Sequence, residues 1–303
     1  MRTMLGITTV AAAVGIGFAA GRARPAAAAD DHAGHEVAHD VGRAVGTAAQ
    51  PGGAAIPASG ATAADRIARS PRHAEWVAIK VNVTDSVMAW VVYPERRDKA
   101  PVVVVIHENT GINTWTRAVA DQLAADGFIG IAPDLTTMFR SDDLKADPAP
   151  DAGRAAIGKV TPEGGNAILD AVARYGMALP AALPKYGVVG FCWGGGRAFL
   201  HATHAPGLGA SVVYYGSPPT ADRMAAIRAP VLGLYGGNDA RINATIPATD
   251  SAMKRLGKSY AYQIFEGAGH GFLRAQDTNP ANGAAAQQAW PRTVAFLKAQ
   301  LGE

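Results

Sequence analysis

Residues 76–83 and 87–93 are dominated by Val, Ile, Trp, Met and Tyr and read as two strands. Thr84-Asp85-Ser86 between them predicts a tight antiparallel hairpin. Residues 101–106 contain four consecutive valines, the signature of a strand buried on both faces. Over 114–126 the period changes. Trp115, Val119 and Leu123 recur every four residues, which predicts an amphipathic helix ended by Gly127. A strand follows over 128–132. The next helix, 161–174, is opened by Thr161 at the cap, Pro162 at its first position and Glu163 in its first turn. A strand over 186–191 runs straight into a glycine-rich turn and a further helix. Strands at 210–215, 231–235 and 260–265 and helices at 244–256 and 284–301 complete the series. Such alternation of apolar strands with helices predicts an α/β domain over 71–303, its mostly parallel sheet covered on both faces.

The N-terminal seventy residues break this rhythm. Arg2 precedes an uncharged run over 4–20, and small residues lead to Ala27-Ala28-Ala29 before Asp30, an A-x-A-like cleavage site. Residues 1–29 therefore read as a cleavable signal peptide, with export to the periplasm or medium. An uncleaved anchor is the competing reading, because Arg22 and Arg24 follow the run. Residues 30–70 are rich in Ala, Gly and Pro and read as a flexible linker. Its His32, His35 and His39 lie near acids and are suited at most to loose capture of a transition metal; a solvated tether is the simpler reading.

Composition narrows the function. Of 303 residues, 49% are hydrophobic and 17% charged, which excludes a mainly disordered chain. The formal charge of +3 invites an anionic partner, but Arg2, Arg22 and Arg24 lie in the leader and no acid does. Without that segment the chain is formally neutral, so no nucleic-acid partner is expected, nor stable membrane association after cleavage. The single cysteine, Cys192, excludes an internal disulfide and a cysteine-rich zinc site.

That cysteine stands in Gly190-Phe191-Cys192-Trp193-Gly194, the G-x-C-x-G form of a nucleophile elbow, after a predicted strand and before a helix. The spacing has a mechanical cause. A nucleophile on a sharp strand-to-helix turn sits in strained backbone, and its flanking positions crowd each other unless both lack a Cβ. The helix start beneath favours an anion there. A buried, inert cysteine is the competing reading. Partners are expected in the order acid, then histidine. Asp239 follows strand 231–235 through Gly236-Gly237-Asn238, and His270 lies in Gly267-Ala268-Gly269-His270-Gly271-Phe272 after strand 260–265. Both fall on loops at the carboxyl ends of strands, where doubly wound sheets bind ligands. His270 is the candidate proton carrier for Cys192, with Asp239 orienting it.

The stretch His107-Glu108-Asn109-Thr110-Gly111-Ile112-Asn113, the helix holding Ala120 and Leu123, Gly127-Phe128 and Ala132-Pro133-Asp134-Leu135 form one long motif. With the elbow and Gly269-His270-Gly271-Phe272, it resembles the dienelactone hydrolases (carboxymethylenebutenolidases) of the α/β-hydrolase fold, over about residues 77–301. The resemblance implies a Cys192-His270-Asp239 triad, with Glu108 helping to activate the cysteine when substrate arrives. It also implies an oxyanion hole from the backbone N–H groups of Asn109 and Trp193, and Arg274 as a grip on a substrate carboxylate. It implies no metal or organic cofactor. After Leu135 the family often has an aromatic residue and soon a second carboxylate-binding arginine. Here Thr136 and Thr137 follow, and Arg140, two positions late, is the nearest candidate. The loop from 141 to 158 is expected to form part of a cap.

These features predict a hydrolase opening an ester or enol-lactone through a thioester on Cys192. Thiol redox chemistry is disfavoured, because no second cysteine exists to resolve an oxidised one. An exported binding or scaffold protein with a vestigial site stays open at this level.

Overall fold

The four valines lie at the centre of the molecule because both faces of their strand are covered. The computed structural model describes residues 55–302. Eight strands form one sheet: β1 (Ala74–Lys80), β2 (Ser86–Val92), β3 (Ala100–Ile106), β4 (Ile129–Pro133), β5 (Ala182–Phe191), β6 (Ala210–Tyr214), β7 (Val231–Gly236) and β8 (Tyr260–Phe265). Their spatial order is β1-β2-β4-β3-β5-β6-β7-β8. The β1–β2 hairpin and the β2–β4 pair are antiparallel, and every other pairing is parallel.

Along β3, side chains alternate between two apolar layers, as the two-residue strand period requires. Val103 and Val105 join the layer that holds Trp115 and Leu123 of α2 (Thr114–Ala125) and Trp290 and Leu297 of α9 (Pro280–Leu301). Val102, Val104 and Ile106 join the other. That layer holds Ile168 and Val172 of α4 (Pro162–Ala178) and Phe199 of α5 (Trp193–Ala202). The chain leaves β3 for β4 on one side and returns to β5 on the other. The direction of winding therefore switches between β3 and β5, whose carboxyl ends open a crevice suited to ligand binding.

Most differences from the predicted elements are at the ends. The helix expected over 244–256 is α8 (Ile246–Arg255), with a proline in its first turn, and a short helix that was not expected, α7 (Ala240–Asn243), precedes it with Asp239 as its N-cap. α9 starts at Pro280, because the Asn279 side chain accepts from the Asn282 N–H at 2.9 Å. Within the stretch expected as a cap, α3 (Pro150–Ile157) forms against the loop after β3. A Cβ on Gly153 would lie 2.0 Å from the Thr110 carbonyl oxygen.

The flexible linker expected through residue 70 is corrected from residue 55 onward. This segment lies on the domain and contains α1 (Ala63–Ala68). The Trp115 indole donates to the Ala58 carbonyl (3.0 Å) and the Gln276 amide to the Pro57 carbonyl (2.8 Å). Ser59 donates to Asp277 (2.7 Å). Farther on, buried Asp121 of α2 collects Arg66 (2.6 Å), Arg72 (2.9 and 3.0 Å) and Ser70. Composition missed this because the fixing groups are mainly backbone carbonyls and partners distant in sequence. The leader and residues 30–54, with His32, His35 and His39, lie outside the described residues. No helix among the described residues is long and apolar enough to cross a membrane.

Removing the Asp121 carboxylate leaves two arginines without their partner. Asp121→Ala is expected to lower stability by about 3 kcal/mol. Denaturant unfolding measures the loss, and limited proteolysis within 55–72 should accelerate in step.

Candidate active site

β5 ends at Phe191 and α5 starts at Trp193, so one residue makes the turn. Cys192 does so at φ 56° and ψ −116°, a conformation disfavoured for a side chain with a Cβ. Its amide donates to the Tyr214 carbonyl at 3.1 Å. The flanking glycines are required by contact. A Cβ on Gly190 would lie 2.0 Å from the Gly194 carbonyl oxygen, and one on Gly194 would lie 2.3 Å from the carbonyl oxygens of both Ile106 and His107. The elbow is thus wedged against the end of β3 at the switch point.

The loop after β8 brings His270 to this turn. Its Nδ1 lies 2.5 Å from Asp239 Oδ2, so Nδ1 carries the proton. The other Asp239 oxygen accepts from the Ile242 amide in the first turn of α7. The neighbouring Cys192 sulfur and, with it, Asp239 raise the imidazole pKa to about 9 against the opposing effect of burial. Cys192 is therefore next in line to the hydrogen-bonded His270–Asp239 pair, the three residues coming from three separate loops. Such a line can hold a cation beside sulfur at neutral pH and carry a proton to and from a reacting group.

Glu108 is at the end of β3. Its Oε2 accepts from Arg274 Nε at 2.7 Å. Burial raises the Glu108 pKa, with Arg274 and His270 pulling the other way. Arg274 is half exposed, so its guanidinium is open to solvent on one side. Asn109 and Trp193 both line a cleft of about 590 Å³ at Cys192.

Arg140 requires correction as a substrate ligand. Its side chain is 1% exposed. It donates to buried Asp134 (2.8 Å), Asp142 (2.8 and 3.1 Å) and the Asp143 and Ala146 carbonyls. The guanidinium pins the loop after β4 instead of facing the cleft. Spacing along the chain carried no information about which way it turned.

Two site residues were not singled out from sequence. His107 is buried and its pKa is depressed by that burial. Its Nδ1 donates to the Glu108 carbonyl (2.8 Å), its Nε2 accepts from the Leu135 amide (3.1 Å), and its ring stacks on Trp193 at 5.5 Å. It holds the turn bearing Glu108 and Asn109 in place. Tyr215, at φ 41°, has its ring 5.0 Å from His270 and a buried hydroxyl with no hydrogen-bond partner. The only signal for either was its position at a strand end. No group of three or more His, Cys, Asp or Glu side chains among the described residues is arranged to hold a metal ion.

A mostly parallel sheet with an antiparallel N-terminal hairpin and a strand–elbow–helix turn at its switch point defines an α/β-hydrolase fold. The dienelactone hydrolase family model matches residues 87–301. The chain belongs to that family and is a hydrolase of it. A Salmonella typhimurium protein named as a candidate carboxymethylenebutenolidase is 32% identical over 81% of this chain and 97% of its own length. A Bradyrhizobium protein is 30% identical over 74% of this chain and 93% of its own; its provisional name is 2-oxo-3-(5-oxofuran-2-ylidene)propanoate lactonase. The crystal structure of a candidate dienelactone hydrolase from Klebsiella pneumoniae superposes with a TM-score of 0.66 at 28% identity, covering 74% of this chain and 98% of that one.

Because Cys192 and Asp239 together raise the His270 pKa, the imidazolium persists through neutral pH and is lost as pH rises through about 9. Its contribution to stability is complete below the ordinary 6.5 and disappears over that interval. NMR titration of the His270 ring should show a midpoint near 9. Asp239→Asn, which removes the charge facing Nδ1, should move the midpoint downward; a wild-type value near 6.5 contradicts the coupling.

Proposed function

We propose that this hydrolase is exported and opens activated esters or enol-lactones through a thioester on Cys192. The supporting observation is the elbow cysteine beside a histidine that is itself held by Asp239. Sulfur attacks the substrate carbonyl carbon, and the resulting oxyanion is received by the backbone N–H groups of Asn109 and Trp193. When the acyl C–O bond breaks, His270 gives its proton to the departing oxygen. In a lactone that oxygen stays tethered to the acyl group. Water then attacks the thioester, His270 takes the water's proton, and the Cys192 thiolate leaves with its electron pair. Enol and aryl leaving groups suit sulfur chemistry, because a poor leaving group returns the thiolate instead.

Glu108 and Arg274 give the site a preference. Their 2.7 Å pair occupies the guanidinium in the free protein. A substrate carboxylate takes that place through the planar fork of Arg274 and frees Glu108. A buried carboxylate without its cation favours the nearby His270 imidazolium, and through it the ionised form of Cys192. The Bradyrhizobium relative's name describes a lactone bearing a propanoate, a compatible substrate class. Export follows from the uncharged run and the small residues before Asp30, and N-terminal sequencing of the secreted or periplasmic form should begin there.

Cys192→Ala should abolish hydrolysis of a nitrophenyl ester, and retained turnover refutes the thioester. Arg274→Ala should lower the kcat/KM ratio of carboxylate-bearing to neutral esters by roughly tenfold or more, the effect of losing a charge-assisted hydrogen bond. An unchanged ratio removes Arg274 from substrate recognition.

A further inference from the structure

Arg274 is paired with Glu108 at the edge of the site. Two other arginines line the cleft at Cys192, together with apolar and neutral residues. Arg197 lies on α5, five residues beyond the cysteine, and is only 8% exposed. Its Nη2 donates to the carbonyls of Val160 and Thr161, each at 2.7 Å, and its guanidinium lies over the Trp193 ring at 4.9 Å. Its Nε is buried with no hydrogen-bond partner. No carboxylate among the described residues forms a salt bridge with it. The acid whose charge reaches it is Glu163, which is solvent-exposed in the first turn of α4.

A guanidinium buried without a counter-charge is costly, and burial accordingly depresses the Arg197 pKa. The packing nonetheless makes room for it. A Cβ on Gly165 of α4 would lie 2.8 Å from Nη2, so the helix carries a glycine where alanine would be more stable by about 1 kcal/mol. With Nη2 held by two carbonyls and Nε enclosed, Nη1 is the donor left for a ligand. Arg241 belongs to α7, two residues beyond Asp239, and is exposed at the cleft without a hydrogen bond or ion pair to the described residues. Pro218, Pro219 and Leu200 supply stiff apolar wall nearby.

We propose that Arg197 and Arg241 form an anion-binding region of the catalytic cleft that receives a second carboxylate of the substrate, separate from the one assigned to Arg274. The preferred substrate is then a lactone or ester carrying two carboxylates. This deepens the thioester reading and rests on it for turnover. Binding, however, can be read without catalysis. A role for Arg197 confined to pinning residues 160 and 161 predicts no ligand preference, and Arg241 makes no such pin.

The test uses full-length protein carrying Cys192→Ala, titrated calorimetrically with adipate and with valerate. Adipate is expected to bind roughly tenfold or more tightly, the increment of one additional charge-assisted contact. Adding Arg241→Gln should remove most of that preference. Adding Arg197→Met should do the same, with melting curves checking that the variant is folded; where it is not, the Arg241→Gln result decides. Equal binding of the two acids overturns the proposal, as does a preference that survives Arg241→Gln. Ester turnover by Cys192→Ala alone instead refutes the thioester and leaves the binding result standing.

Discussion

At Cys192 the backbone turns at φ 56°, the flanking Gly190 and Gly194 lie so close to neighbouring backbone that a Cβ on either would stand 2.0 to 2.3 Å from a carbonyl oxygen, and the site is built outward from that contact. Gly190 and Gly194 approach each other across the turn, and Gly194 presses against the last carbonyls of β3. This one steric condition brings the start of α5, the end of β3 and the Glu108-Asn109 turn to the same crevice. A larger residue at either glycine pushes sulfur away from its partners before any electrostatics can act. The strain at Cys192 is tolerated because β5, β6 and α5 fix the residues on both sides, and the Cys192 amide is tied to Tyr214.

Two electrostatic arrangements are built on this frame. In one, Asp239 and Cys192 act on His270 from two directions, and their attraction exceeds the cost of partial burial. In the other, Glu108 and Arg274 satisfy each other at the crevice edge. His107 connects the two through shape, since its neutral ring stacks on Trp193 and holds the Glu108 carbonyl. The segment before β1 adds a further support. Gly60 donates to the Arg274 carbonyl at 2.8 Å, so this segment lies along the turn that carries the guanidinium.

The fold was largely legible because its signals are local. Four valines in a row need cover on both faces wherever they are placed, and a four-residue apolar period needs one covered face. Cys192, His270 and Asp239 were legible because glycine spacing and strand-end position are written in the chain itself. Arg140 was not. Whether an arginine six residues past Asp134 turns toward the cleft or back onto that carboxylate depends on the buried charge it meets. Arg197 was missed for the related reason that an arginine on a helix after an elbow looks like an ordinary surface residue until the packing encloses it.

The chain alone determined the order of strands and helices, the elbow and the residues able to meet there, because backbone geometry and hydrophobic period act over a few positions. Only the tertiary structure decided which charges face each other. It paired Glu108 with Arg274, turned Arg140 inward, left Arg197 without a carboxylate and fastened residues 55–70 to α2 and the turn after His270. Those outcomes depend on distances between groups as many as 219 positions apart in sequence, where the strength of an ion pair or the cost of an unpaired charge is set by burial.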